Sequence, residues 1–209
     1  MVVTVVIGIA GSMRSGKTTL ATSLATTYGL PVVSFAESLR MEVSQAFFPK
    51  KSKSDARYLW SLLEETDKSK TRPILQAWGQ GKRDLVDANY WVYRLFEYLR
   101  VKDIKVAICD DVRHANEAQA IIDGGGIIIR LVANGATLIE RGADPKTMEH
   151  QSENLSPLDK YLKAVGVGHI TVDTGGRTPY GVYVASEPYV RRLMDKIYEY
   201  WGEEDEEEN

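Results

Sequence analysis

Apolar residues gather along the chain in five short, nearly continuous runs: Val2 to Ala10, Pro31 to Ala36, Lys105 to Val112, Ile127 to Val132, and His169 to Asp173. These runs are rich in Val and Ile, and such continuity predicts strands covered on both faces. Between them lie stretches with helical character: Lys17 to Tyr28, Glu37 to Phe47, Ala56 to Trp78, Ala88 to Val101, and Asn116 to Asp123. A final helix is predicted from about Glu187 to Trp201. Strands alternating with helices predict an α/β fold, a three-layer sandwich around a five-stranded, mainly parallel sheet. Sheets of this kind bind ligands at the carboxyl ends of their strands, where Gly11, Ala36 and Asp111 all fall.

Two stretches exceed what a bare five-unit sheet needs. Nearly seventy residues separate the second strand from the third, too many for one crossover helix. Residues 37–104 are therefore expected to build a helical wall over the ligand edge of the sheet. Residues 133–168 mix Gly, Pro and polar residues with short helical fragments, a composition suited to a lid. The expected organisation is a single domain over residues 1–202, followed by an acidic tail over 203–209.

The chemistry begins where the first strand ends. Gly11-Ser12-Met13-Arg14-Ser15-Gly16-Lys17-Thr18 fills every fixed position of the G-x-x-x-x-G-K-[ST] phosphate loop, with a strand before it and a helix after it. Glycines let the backbone curl so that successive N–H groups face a phosphate. The helix N-terminus adds partial positive charge, Lys17 adds a full one, and the Thr18 hydroxyl is placed to ligate Mg²⁺. Gly11, Arg14, Ser15, Gly16, Lys17, Thr18 and Thr19 are accordingly the expected contacts for a nucleoside triphosphate.

Bulk properties narrow the remaining classes. The chain has 209 residues, 44 % apolar and 26 % charged, with a net charge of −3. Glu203, Glu204, Asp205, Glu206, Glu207 and Glu208 supply an acidic end expected to be disordered, and without them the body is mildly cationic. That charge suits small phosphorylated substrates and is too weak to argue for nucleic acid. Cys109 is the one cysteine, so no disulfide within the chain and no cysteine metal cluster can form. The short apolar N-terminus reads as a strand, not a targeting segment, and no run approaches the length of a membrane span. The expected location is the cytoplasm.

The third strand ends in Asp110-Asp111 beside the phosphate loop, where a carboxylate can help hold Mg²⁺. Asp111 is the favoured contact, with Asp110 expected on the opposite face. Arg113 follows two residues later, at the mouth of the same cleft, and its fork of donors suits an acceptor phosphate. Arg83 is a second candidate for that anion. Arg130 and Arg141 are candidates for neutralising a transferring phosphoryl group, with Arg141 the weaker of the two.

Several of these segments together resemble the bacteriophage deoxynucleoside monophosphate kinases, within the wider nucleoside monophosphate kinase group. The segments are the phosphate loop, Phe35-Ala36-Glu37-Ser38-Leu39-Arg40, Gln76-Ala77-Trp78-Gly79 with Arg83, and Asn89-Tyr90-Trp91-Val92. Asp110-Asp111-Val112-Arg113 with Asn116-Glu117, and His150-Gln151-Ser152-Glu153, complete the set. The resemblance spans about Val5 to Gly176 and implies a P-loop kinase fold, with ATP as phosphoryl donor, Mg²⁺ as cofactor and a deoxynucleoside monophosphate as acceptor. It makes Lys17, Asp111 and Arg113 catalytic, and Thr18 and Asp111 metal contacts; Arg130 is expected to be catalytic from its place at the end of the fourth strand. It places Glu37, Arg40, Gln76, Arg83, Tyr90, Trp91, Arg113 and Glu153 around the acceptor. It implies small nucleotides as partners, with neither nucleic acid nor membrane, and is compatible with a homodimer. The run Gly79-Gln80-Gly81-Lys82 is more basic and glycine-rich than the family pattern.

A phosphate oxygen is already anionic near neutral pH, so the implied reaction needs no general base. Positioning and cationic stabilisation would carry it. The competing readings are a P-loop kinase for another small acceptor, such as dephospho-coenzyme A, and a regulatory ATPase. No Asn-Lys-x-Asp guanine-reading motif is present, which argues against a GTPase.

Overall fold

The computed structural model describes residues 4–145 and 154–207, the side chains only as far as residue 200. The chain divides into two compact units, one formed by Met1–Val32 together with Lys105–Asn209, the other by Val33–Ile104. The first carries the sheet. Its elements are β1 (Val5–Gly11), α1 (Lys17–Tyr28), β3 (Val106–Val112), α6 (Ala115–Asp123), β4 (Ile127–Val132), α7 (Gly135–Glu140), α8 (Ser156–Val165), β5 (His169–Asp173) and α9 (Pro179–Glu207). The short strand β2 (Val32–Val33) stands at the junction between the units. The second unit consists of α2 (Phe35–Phe47), α3 (Lys53–Thr66), α4 (Lys68–Leu85) and α5 (Tyr90–Val101).

The sheet order is β2-β3-β1-β4-β5, so β1 is central. It runs parallel to β3 through Ile7 opposite Ile108, and parallel to β4 through Ile7 opposite Ile127. β4 and β5 are parallel through Ile129 opposite Ile170. Every residue of β1 is buried, as the continuous apolar run requires. Val5, Ile7 and Ile9 face Leu20, Ala21 and Leu24 of α1 and Val190, Met194 and Ile197 of α9 in one core. On the other side, a Cβ built at Gly8 would meet Ile121 of α6 at 2.9 Å and Ile128 of β4 at 2.6 Å. Helices thus cover both faces, giving the three-layer α/β sandwich that the strand–helix alternation predicts.

The last residue of α1 is tied to the first third of α9 by Glu187, whose Oε1 accepts from the Tyr28 hydroxyl at 2.8 Å and from Arg191 Nε at 2.8 Å. Burial, then the Glu187 carboxylate, push the Tyr28 phenol up to about 12. Among the described residues no helix is long and apolar enough to cross a membrane.

Three element boundaries depart from the sequence expectation. The second strand ends early because Ser34, in extended conformation, accepts from Glu37 N at 3.0 Å and starts α2 at Phe35. The single helix expected over Ala56 to Trp78 is two. Asp67 closes α3 and caps α4 by accepting from Lys70 N at 3.3 Å. The last helix opens at Pro179, eight residues before Glu187, because proline fits the first helical position. It continues to Glu207, within the acidic end.

Gly126 precedes β4 where a side chain has no room, since a Cβ there would run into the Val6 carbonyl oxygen and lie 2.9 Å from that of Ile121. Gly126→Ala should destabilise the chain by about 3 kcal/mol, read as a lowered urea midpoint with an unchanged denaturant slope.

Candidate functional site

The phosphate loop is formed at the carboxyl end of β1. Gly16 adopts φ 96°, open to glycine and strained for other residues, and Arg14 also sits in the left-handed region at φ 63°. Gly11 has no alternative either, since a Cβ there would collide with Ser15 Oγ and approach the Leu131 carbonyl at 3.0 Å. Among the described residues no side chain caps the first turn of α1, which leaves its N–H groups directed at a ligand. The Lys17 ammonium donates to the Gly11 and Ser12 carbonyls at 2.8 and 2.9 Å. Ser15 is 1 % exposed, and its hydroxyl has no hydrogen-bond partner among the described residues.

Above the loop lies a cavity of about 480 Å³. Its floor is Arg14 to Leu20, and its walls are Arg141, Thr174, Arg177, Pro179 and Val182. Arg141 ends α7, and its guanidinium donates to Thr174 Oγ1 at 3.0 Å and to the Thr174 carbonyl at 2.6 Å. Thr174 is fully buried, and its own N–H is bound to the Val132 carbonyl at the end of β4.

Thr18 Oγ1 donates to Asp110 Oδ2 at 3.1 Å. This reverses the expected order of the two aspartates. Alternation along β3 puts Asp110 on the phosphate-loop side. Asp111 shares the other face with Cys109, whose Sγ lies 3.3 Å from Asp111 Oδ1. Burial, then the Asp111 charge, raise the Cys109 thiol well above its ordinary range, so a thiolate role is disfavoured. Thr18 and Asp110 are hard oxygen donors of the kind Mg²⁺ accepts, and Mg²⁺ takes only one or two protein ligands when phosphates supply others. Among the described residues there is no cluster of three or more metal-ligating side chains.

The arginines sort differently from expectation. Arg130 is 7 % exposed and bound through both arms to Asp159 of α8, at 2.7 and 3.1 Å, with a third bond to the Leu131 carbonyl. It is a structural ion pair, so the catalytic role expected of it is withdrawn. Arg141, the weaker candidate, lines the cavity, as do Arg14 and Arg177. Arg177 and Thr174 escaped the sequence reading, although Asp173-Thr174-Gly175-Gly176-Arg177 is a glycine turn at a strand's carboxyl end, the position where ligand residues gather. At Arg113 the backbone N–H, with that of His114, donates to Glu117 Oε2, at 2.8 and 3.0 Å. Glu117, 2 % exposed, therefore fixes the turn that carries Arg113.

Within the second unit, the residues expected around an acceptor are held in two networks. Glu37 pairs with both arms of Arg57 at 2.7 and 3.0 Å, and Arg40 with Glu64 at 2.9 Å. Glu42 forms the other network, accepting from Trp78 Nε1 (3.0 Å), the Tyr90 hydroxyl (2.7 Å) and Lys82 Nζ (2.7 Å). Lys82 also lies over the Tyr90 ring at 4.9 Å. Trp91 is 2 % exposed and donates to the Gly79 carbonyl at 3.0 Å, so it is core and not a stacking surface for a base. Gln76, Gly79 and Arg83 follow one face of α4. Glu153 lies outside the described residues.

No protein-family model matches the chain, and no curated protein does. Among solved structures it is similar to an unliganded sugar kinase from Janibacter, at 14 % identity and TM-score 0.45, over 90 % of this chain and 95 % of that one. It is also similar to a shikimate kinase from Aquifex aeolicus, at 18 % identity and TM-score 0.44, over 92 % of this chain and 98 % of that one. At these identities and scores neither likeness carries an argument about activity or substrate.

Burial pushes the Glu42 carboxyl up, but bonds from Lys82, Tyr90 and Trp78 outweigh it and hold the group below its ordinary value of 4.5. The stability this contributes is whole above pH 4.5 and is lost as pH falls through the depressed value. Glu42→Gln should destabilise the chain at neutral pH by about 1 kcal/mol, read as a lowered urea midpoint, and flatten the midpoint's decline below pH 4.5.

Proposed function

We propose that the chain is a P-loop kinase that transfers the γ-phosphoryl group of ATP to a deoxynucleoside monophosphate, giving the diphosphate. The observation that carries the phosphotransfer reading is the phosphate loop with its uncapped helix and Lys17, opening into a cavity that Arg14, Arg141 and Arg177 also line. The choice of acceptor rests on the resemblance of the Asp110-Asp111-Val112-Arg113, Gln76-to-Arg83 and Asn89-to-Val92 segments to the phage deoxynucleoside monophosphate kinases.

In this reading the loop N–H groups and Lys17 cradle the donor's β- and γ-phosphates. Lys17 exchanges the Gly11 and Ser12 carbonyls for phosphate oxygens, a change that moves its charge onto the group being transferred. Thr18 and Asp110 would hold Mg²⁺, which would supply positive charge against that of the phosphates. Arg113, on the turn fixed by Glu117, grips the acceptor phosphate and aims an already anionic oxygen at the donor. Arg141 and Arg177 supply the remaining positive charge. Exclusion of water falls to residues 133–168, since water is the competing acceptor.

ADP release with Mg-ATP should be stimulated by one or more of dAMP, dGMP, dCMP and dTMP, and Lys17→Ala should lose about a hundredfold or more of that rate. Stimulation by dephospho-coenzyme A alone would move the chain to another kinase class. Hydrolysis indifferent to every acceptor would make it an ATPase.

The two aspartates give a separate test. Asp110→Asn should raise the Mg²⁺ concentration needed for half-maximal rate by about tenfold, and Asp111→Asn should shift it much less. The reverse order would restore Asp111 as the metal-side carboxylate.

A further inference from the structure

We propose that Thr174 is a positioning residue of the phosphotransfer site, one that aims the Arg141 guanidinium and the turn carrying Arg177 into the cavity above the phosphate loop. The inference deepens the proposed function and rests on that reading.

Thr174 follows β5 directly, and its N–H, bound to the Val132 carbonyl at 2.8 Å, continues the β4–β5 pairing by one residue. It is thereby fixed to the carboxyl edge of the sheet, and it is fully buried. Three bonds join it to arginines of the cavity. Its Oγ1 accepts from one terminal nitrogen of Arg141 at 3.0 Å, and its carbonyl accepts from the other at 2.6 Å. The same carbonyl accepts from the backbone N–H of Arg177 at 3.3 Å. That last bond closes a tight turn over Gly175 and Gly176, with Gly176 in the left-handed region at φ 67°. One residue thus sets the side chain of the arginine that ends α7 and the backbone of the arginine after β5, and both arginines line the cavity.

The charge of the partners decides what these bonds are for. Arg130 spends both arms on Asp159, a carboxylate that cancels its charge. Arg141 places its terminal nitrogens on a hydroxyl and a carbonyl, which orient the guanidinium and leave its charge intact. A guanidinium has more N–H donors than the two that Thr174 takes, and the rest can meet an anion. Arg14, Lys17, Arg141 and Arg177 also repel one another across the cavity they share. Bonds to Thr174 hold two of the four in place, so like charges are gathered by folding and not by the ligand.

Attraction between a cation and a triphosphate survives a small misalignment, because it falls off slowly with distance. Stabilisation of a transferring phosphoryl group is less forgiving, since a displacement of about 1 Å can lower a rate about a hundredfold. Loss of the Thr174 hydroxyl should therefore be felt in kcat more than in KM.

The test is acceptor-stimulated ADP release by the full chain, with kcat and the KM for Mg-ATP measured for Thr174→Val and Thr174→Ser. Valine keeps the shape of threonine and removes Oγ1, whereas serine keeps Oγ1 and removes the methyl group. For a positioning residue, Thr174→Val should lower kcat about tenfold with KM within about twofold, and Thr174→Ser should recover kcat to within about threefold of the parent. A residue that only fills space gives the opposite order, because serine leaves a void and valine does not. That order, or a Thr174→Val enzyme with unchanged kcat, would overturn the inference and leave the kinase reading standing. A parent chain that releases no ADP with any deoxynucleoside monophosphate would overturn the proposed function and this inference with it.

Arg141 supplies the second arm. Arg141→Ala removes the group that Oγ1 orients, so adding Thr174→Val to it should lower kcat by less than about twofold further. Full multiplication of the two losses would overturn the assignment of the Thr174 effect to Arg141. Arg141→Lys keeps the charge but, as a point donor, cannot span both Thr174 atoms. A kcat about tenfold below the parent is expected from it, and an unchanged kcat would overturn the inference even should Thr174→Val fail to fold.

Discussion

The turn that joins β1 to α1 is held by one ammonium group. Lys17, the first residue of α1, reaches back to the Gly11 and Ser12 carbonyls, so the helix start and the strand end are clamped across the loop between them. Because β1 is buried between β3 and β4, this clamp is fixed relative to the carboxyl ends of both neighbours. The Thr18–Asp110 bond carries the same registration to β3. The loop is therefore an extension of the most rigid strand of the sheet, which is how a loop of small polar residues can keep its N–H groups aimed without a ligand to order them.

Charge is distributed around that clamp in a consistent way. The cations that line the cavity come from the phosphate loop, the end of α7 and the turn after β5, three segments leaving the same edge of the sheet. Three carboxylates of the sheet unit are committed elsewhere: Asp159 to Arg130, Glu117 to the Arg113–His114 turn, and Glu187 to Tyr28 and Arg191. None of these three carboxylates is among the described residues that line the cavity. The positive field over the loop is thereby left for an incoming anion.

How much of this could be read from the sequence depended on whether the signal was local. The phosphate loop is a contiguous motif in its proper strand–helix setting. α1, β4 and β5 begin and end where the apolar pattern places them. The parity of Asp110 and Asp111 was not legible, because β3 is apolar on both faces and so shows no alternation to set the phase of its last residues. Arg130 was indistinguishable from a ligand in the sequence because its partner, Asp159, lies 29 positions away. Trp91 looks like a cleft aromatic for a similar reason, since only its bond to the Gly79 carbonyl reveals it as core. The break at Asp67 was missed because helical periodicity continues on either side of it, and a capping aspartate resembles any other polar residue in the helix.

The sheet unit is discontinuous along the chain, its two stretches separated by Val33–Ile104. The pairing of β1 with β3 must therefore close a loop that contains an entire compact body. The entropy of closing a flexible loop grows only logarithmically, about 0.6 kcal/mol for each doubling of length. A body that folds on its own contacts shortens the effective loop further. Length between β2 and β3 is thus nearly free in thermodynamic terms, and the sheet with its phosphate loop would tolerate a longer, shorter or differently folded insert there. In architectural terms the sheet unit is a chassis and Val33–Ile104 a cassette set into it.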